Sequence, residues 1–131
     1  VAAARRLAAH PELVVVVEHT GWPRSTDDAE RARWHEGMAA LAAAGEHVHC
    51  KLSGLAMPLG AMTAEAFRPW IEPAIDTFGP RRCLFASNFP VDGLHGRLDQ
   101  LWGAYAEVTA GLAGDDRDAL FAATAERVYR C

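Results

Sequence analysis

Three apolar runs begin at Leu13, Val48 and Cys83, 35 residues apart each time. Each is followed by a Gly- or Pro-containing turn and then by a stretch with helical periodicity. The first run, Leu13-Val14-Val15-Val16-Val17, holds four consecutive β-branched residues. Such residues are stiff at χ1 and favour a pleated strand. Their continuity points to a strand covered on both faces. The strands are read over 13–18, 48–52 and 83–86. Strand–helix alternation at this period predicts βαβ units with parallel strands, since an antiparallel pair needs only a short turn. Three units are too few to bury a parallel sheet. An eight-fold barrel takes ~250 residues, or roughly 31 per unit. The expected fold class is therefore α/β: the C-terminal part, about three βα units, of a TIM-like (β/α)8 barrel, with 1–131 as a single partial domain.

The helical stretches fit that plan. Ser25 and Thr26 are candidate N-caps for a helix reaching about residue 44, with Asp27, Asp28 and Glu30 near its positive end. Trp34, Met38, Leu41 and Ala42 recur at helical spacing as its buried stripe. Thr63 is placed to cap a second helix to about residue 78. Phe67, Trp70, Ile71, Ala74 and Phe78 share its inner side, and Pro69 and Pro73 are expected to shorten or kink it. Helices over about 97–112 and from about 115 onward finish the chain.

Composition bounds the function. Half the residues are hydrophobic and 23% are charged, which excludes a disordered or low-complexity chain. No apolar run approaches the ~20 residues of a membrane helix. A formal net charge of -4 argues against a nucleic-acid partner, which usually leaves a basic footprint. Three cysteines, without metal-type spacing, fit a reducing, cytoplasmic setting better than a disulfide framework. Cys50 and Cys83 read as small buried hydrophobes. The first nine residues lack the pattern of a signal peptide. A start at Val rather than Met leads us to expect a piece of a longer protein, whose N-terminal barrel half is the implied partner.

Chemistry is expected at the strand ends, because in parallel α/β folds the loops after the strands converge there. The first strand ends Glu18-His19-Thr20-Gly21-Trp22-Pro23, the second Lys51-Leu52-Ser53-Gly54, the third Ser87-Asn88-Phe89-Pro90-Val91-Asp92. Lys51 is the one lysine against 12 arginines, and it sits inside a strand. Side chains alternate along a strand. Pointing His19 into the barrel takes Val15 and Val17 with it and turns Val14, Val16 and Glu18 toward the helices. Pointing Lys51 and Ser53 inward brings His49 with them and puts Cys50 and Leu52 on the helix layer. Asn88 inward places Leu84 and Ala86 below it and Phe85 against the helices. His10, His35, His47, His49 and His95 share no spacing with carboxylates and read as structural or solvent-facing.

These residues resemble a family. His10-Pro11-Glu12-Leu13 through His19-Thr20-Gly21-Trp22-Pro23 looks like the "HP-x-L…H-x-G-x-P" segment of amidohydrolase-related proteins, TIM-barrel relatives of the metal-dependent hydrolases that include lactone hydrolases and decarboxylases. Cys50-Lys51-Leu52-Ser53-Gly54-Leu55 is similar to their "V-K-L-S-G-L" seventh strand. Leu84-Phe85-Ala86-Ser87-Asn88-Phe89-Pro90-Val91-Asp92 resembles their "F-G-S-D-W-P" eighth strand, and the ending from Leu120 to Arg130 their terminal helix. The resemblance implies that His19 is the strand-six histidine that contacts substrate or moves a proton, a role suited to imidazole. It places Asn88 where the family usually has an Asp that binds metal or activates water. An amide is neither a general base nor a good transition-metal ligand beside imidazoles. Asn88 thus argues against the divalent metal that the family implies, and no metal ligand is assigned. Activity is expected to survive a chelator.

The expected function is a hydrolase acting on a lactone or similar small carboxylated ring. His19 and Asn88 are the candidate catalytic residues; Lys51, Ser53, Trp22 and Asp92 are the candidate substrate contacts. The other acid or base would come from outside this chain, which alone is expected to be inactive. The alternative is a non-catalytic or degenerate barrel fragment that serves as an interaction module, which Asn88 favours. A Rossmann-type module ranks below both, since no Gly-rich phosphate turn follows a strand.

Overall fold

A computed structural model describes residues 2–131. Its centre is a parallel sheet of β1 (Val15–Val17), β2 (Val48–Leu52) and β3 (Cys83–Phe85), in the order β1-β2-β3. Val15 stands opposite Val48, Cys50 opposite Cys83, and Leu52 opposite Phe85. The parallel α/β expectation is met, and each strand begins within two residues of its expected start. The exception at the first is instructive. Leu13 and Val14 lie outside β1 and are 48% and 57% exposed. Leu13 N–H closes a turn onto His10 O at 3.2 Å, and cross-strand pairing starts only where Val15 N–H reaches His47 O at 3.0 Å. A β-branched run supplies propensity, but it cannot form a ladder where the neighbouring strand has not yet begun.

The helices are α1 (Ala2–Ala8), α2 (Asp28–Ala42), a short α3 (Ala56–Leu59), α4 (Ala64–Phe78), α5 (Leu98–Val108), α6 (Gly114–Asp118) and α7 (Thr124–Tyr129). A π-type turn, Ala119–Ala123, joins the last two. The N-cap of α2 is Asp27, not Ser25 or Thr26: its Oδ1 accepts from Glu30 N–H at 2.8 Å. A carboxylate both caps and meets the positive helix end, which a hydroxyl does not. The Ser25 hydroxyl instead donates to Asp27. Thr63 does cap α4, accepting from Ala66 N–H at 3.2 Å. Pro69 and Pro73 do not shorten α4, which runs unbroken for 15 residues. Each interior proline costs about 3 kcal/mol. The buried face carries Phe67, Trp70, Ile71, Ile75 and Phe78, each worth about 1.5–3 kcal/mol, so burial wins.

One face of the sheet packs on the helices. Cys50, Leu52 and Phe85 join Trp34, Trp70 and Tyr105 in a continuous apolar cluster. Phe85 stacks on Tyr105 with ring centroids 4.3 Å apart. Both strand cysteines are buried there. The Cys50 thiol is pushed up by its contact with Cys83 and by burial. These orientations are as expected for β2 and β3. For β1 they are reversed: Val15 and Val17 pack against the helix-side cluster. Val16 and Glu18 therefore face the barrel side, by alternation. The cause lies at His19, from which the alternation was counted. His19 has left the strand for a 3-10 turn, His19–Gly21, with a φ of 52°. Among the described residues no helix is long and apolar enough to cross a membrane.

Candidate active site

Parallel pairing brings the three strand-end loops to the same end of the sheet. Two are in direct contact. His19 Nδ1 and Ser53 Oγ lie 3.0 Å apart in a hydrogen bond. Thr20 Oγ1 locks the two loops together: it donates to Ser53 O at 3.3 Å and accepts from Ser53 N–H at 3.2 Å. Trp34 Nε1–H holds the turn from below by donating to Thr20 O at 2.7 Å. Thr20 and Ser53 are fully buried, whereas His19 is half-buried. Nδ1 is thus engaged from the protein side while Nε2 takes no hydrogen bond from the described residues. Ser53, expected as a substrate contact, is placed against His19 by this bond.

The turn that presents His19 is bent in an unusual way. His19, Thr20 and Trp22 have φ values of 52°, 54° and 53°, and Asn88 has 52°. For residues other than glycine this left-handed region costs on the order of 1 kcal/mol each. Such conformations persist only where surrounding contacts impose them, and they cluster at functional sites. Of the five such residues among those described, four fall on the first and third strand-end loops, and the fifth, Arg130, follows α7.

Lys51 lies on the barrel-side face, as expected, and its Nζ is 2.5 Å from Glu18 Oε2. The lysine is 20% exposed at its side chain and the glutamate 52%. The sequence assigned Glu18 to the helix layer; with β1 reversed it becomes the counter-ion of the only lysine. A carboxylate ending one strand beside the only lysine, in the next strand, is the signal that could have found this pair. His49, on the same face, is nearly buried. Its imidazole is held below the usual range, chiefly by burial, with the charges of Arg127 and Arg82 adding and a backbone hydrogen bond to His47 opposing.

On the third loop Asn88 Nδ2–H donates to Asp92 Oδ1 at 2.8 Å. Asp92 is fully buried, and its Oδ2 has no partner among the described residues. Burial first, and the Asp92 charge second, push the Tyr105 phenol above its usual range; its hydroxyl donates to Ala86 O at 3.2 Å. Trp22, 46% exposed, meets the His19 ring edge-on at 5.7 Å. It also lines a cavity of about 440 Å³ with Gly21, Arg24, Glu30, Arg33 and Trp34. That cavity is lined by none of His19, Ser53, Lys51 or Asn88 and adjoins the His19 loop through Gly21 and Trp22.

A family model described as "Amidohydrolase" matches residues 1–131. The chain belongs to the amidohydrolase family. An uncharacterized protein of Sinorhizobium fredii is 39% identical to this amidohydrolase chain over 120 residues, covering 92% of the chain and 40% of that protein. An L-fucono-1,5-lactonase of Burkholderia multivorans is 35% identical over 135 residues, covering 93% and 45%. The crystal structure of a Burkholderia multivorans amidohydrolase with bound zinc superposes with a TM-score of 0.88 at 30% identity, covering 97% of this chain and 47% of that one. The chain thus spans less than half the length of these relatives, and its three parallel units are part of an amidohydrolase barrel.

A divalent metal fits these residues poorly. Among the described residues no three His, Cys, Asp or Glu side chains come together as a ligand set. Asn88 turns an N–H toward Asp92, and its carbonyl oxygen is a weak neutral donor beside imidazoles. These residues do not by themselves make a metal centre.

Proposed function

We propose that this chain carries one half of the active site of a lactone-hydrolysing amidohydrolase. The observation that carries the reading is the His19 Nδ1 to Ser53 Oγ hydrogen bond at a strand end. The similarity to the L-fucono-1,5-lactonase supports a lactone, a small cyclic ester, as the substrate class.

In this reading Nδ1–H of His19 donates to Ser53 Oγ, which orients the ring and leaves the Nε2 lone pair toward the substrate. Water attacks the ring carbonyl carbon, and Nε2 takes its proton. The carbonyl becomes a tetrahedral oxyanion. Its collapse breaks the ring C–O bond, and His19 returns the proton to the leaving alkoxide. The product is an open-chain hydroxy acid. Lys51 is tied to Glu18, so it acts as part of a near-neutral pair that shapes the barrel side rather than as a free cation. Any further acid, base or oxyanion donor comes from outside the described residues. Trp22, packed on the His19 ring, covers the imidazole and limits access of bulk water.

The test is a lactonase assay on the protein at its natural length, with L-fucono-1,5-lactone as substrate. His19→Gln is expected to lower kcat/KM by roughly 10²–10⁴-fold, the usual worth of a general acid–base group. Wild-type activity in that variant would remove His19 from the mechanism.

A further inference from the structure

Four consecutive residues of the first strand-end loop, His19, Thr20, Gly21 and Trp22, have φ values of 52°, 54°, 68° and 53°. Within the loop, Gly21 N–H donates to Glu18 O at 3.0 Å and Trp22 N–H to His19 O at 2.9 Å. A right-handed 3-10 turn makes the same pair of bonds, so they close the turn without choosing its hand. The hand is set by what Thr20 meets. Thr20 is fully buried, and a buried carbonyl needs a donor. Trp34 Nε1–H supplies it at 2.7 Å. An indole nitrogen only donates, and Trp34 is itself buried, so each group is the partner the other needs. At the next residue, a Cβ built on Gly21 would lie 2.6 Å from Met38 Sδ and 3.4 Å from Trp34 Nε1. The loop is therefore seated directly on α2. The Trp34 ring is steadied by Trp70, edge-on at 5.1 Å, and α2 is capped by Asp27. The indole is thus a fixed donor on a rigid helix. The Thr20 hydroxyl ties the same loop to Ser53. The imidazole that meets Ser53 Oγ at 3.0 Å is carried on a turn held from two sides.

We infer that Trp34 is a positioning residue for His19: its indole N–H holds Thr20 O, keeps the loop left-handed and so keeps the His19 ring on Ser53. This rests on the hydrolase reading above and adds to it a residue of the helix layer, one that the sequence assigns only to a buried stripe. Trp34 acts through the backbone and sets where His19 Nε2 stands. A misplacement of about 1 Å in a reacting group costs ~10²-fold in rate, which sets the size of the effect. Core filling makes a different demand: it needs the ring and its volume but not the N–H.

The test uses the natural-length protein with Trp34 replaced by its benzothiophene isostere, in which sulfur stands for the indole N–H. Shape and apolar surface stay; the donor goes. Trp34→Phe is the genetically encoded counterpart. Ile71→Val, at a fully buried position of α4, is the control for lost core packing. Kinetics on L-fucono-1,5-lactone and the proton resonance of His19 Nδ1–H are read side by side. In wild type that proton, bonded to Ser53, should be protected from exchange. Both Trp34 variants are expected to lower kcat by roughly ten- to a hundredfold with KM little changed, and to lose the His19 resonance to solvent exchange. Ile71→Val should lower Tm while kcat and the resonance stay as in wild type. Wild-type kcat with an intact His19 resonance in the isostere would overturn the inference, leaving Trp34 as core filling and the hydrolase reading untouched. An equal loss of kcat in Ile71→Val would overturn it as well. If wild type hydrolyses no lactone, the hydrolase reading falls by itself. The resonance then decides: its loss in the isostere upholds Trp34 as the support of His19, and its persistence overturns it.

Discussion

At Gly54 two requirements meet in one residue. Its φ is +70°, and a Cβ built there would stand 2.8 Å from the His19 ring. The loop after β2 thus approaches the imidazole so closely that only hydrogen fits between them. Gly60 offers a control, with a φ of +63° and nothing within 4 Å of a built Cβ. Alanine at either position carries the left-handed penalty, about 1–2 kcal/mol. Only Gly54→Ala also displaces His19 from Ser53. We expect both variants to lose stability in thermal melts of the natural-length protein, Gly54→Ala the more. Lactonase activity should fall more than tenfold in Gly54→Ala and stay near wild type in Gly60→Ala. Equal activities in the two variants would show that the close approach to His19 has no catalytic consequence. The neighbouring Thr20 went unnoticed in the sequence for a physical reason. A Thr before Gly reads as turn chemistry, and its two bonds to Ser53 span 33 residues, beyond the reach of any local pattern.

At the scale of elements, what was legible followed burial. Every residue read onto the α4 stripe is buried, with Ala64 and Ile75 added to it, because an amphipathic helix carries its own periodicity and Thr63 marks its start. The faces of β2 and β3 were also legible, since Cys50, Leu52 and Phe85 alternate with polar or separate positions. The face of β1 was not. Four valines look the same from both sides, and the one polar marker used, His19, had already left the strand. The Lys51–Glu18 pair was hidden by that single reversal. The strand-end residues were found because parallel topology gathers them, but which of them touch is a matter of loop backbone that sequence spacing does not encode. β2 supplies a further prediction through His49. Burial, its largest cause, lowers the His49 pKa in the folded state. The unfolded chain, near 6.5, therefore takes up a proton first as pH falls. Stability is unaffected by this group well above 6.5 and declines as pH drops through and below that value. His49→Phe should flatten the dependence of Tm on pH between about 7.5 and 5.5. An acid limb as steep in the variant as in wild type would assign that dependence to other groups.

At the scale of the whole molecule, the described residues leave a sheet unfinished. β1 and β3 each pair on one side only, so each presents a free edge of backbone N–H and C=O groups. Helices cover one face; the other carries Val16, His49 and the Glu18–Lys51 pair. Beside the β1 edge, Leu13 and Val14 are exposed. In a closed barrel the neighbouring strands would pair both edges and fill the inner face. Without those strands, free edges and an apolar border form a template for other chains. The ion pair blunts only the rim. We therefore expect the 131-residue chain, expressed by itself, to self-associate at micromolar concentration, as measured by light scattering after gel filtration, and to have no lactonase activity. Val14→Lys, placing a charge beside the β1 edge, should shift the population toward monomer without restoring activity. Adding a separately produced polypeptide that carries the remaining strands of the barrel should suppress association and restore hydrolysis together. A monomeric wild-type chain that melts cooperatively would mean that these edges are protected without the rest of a barrel.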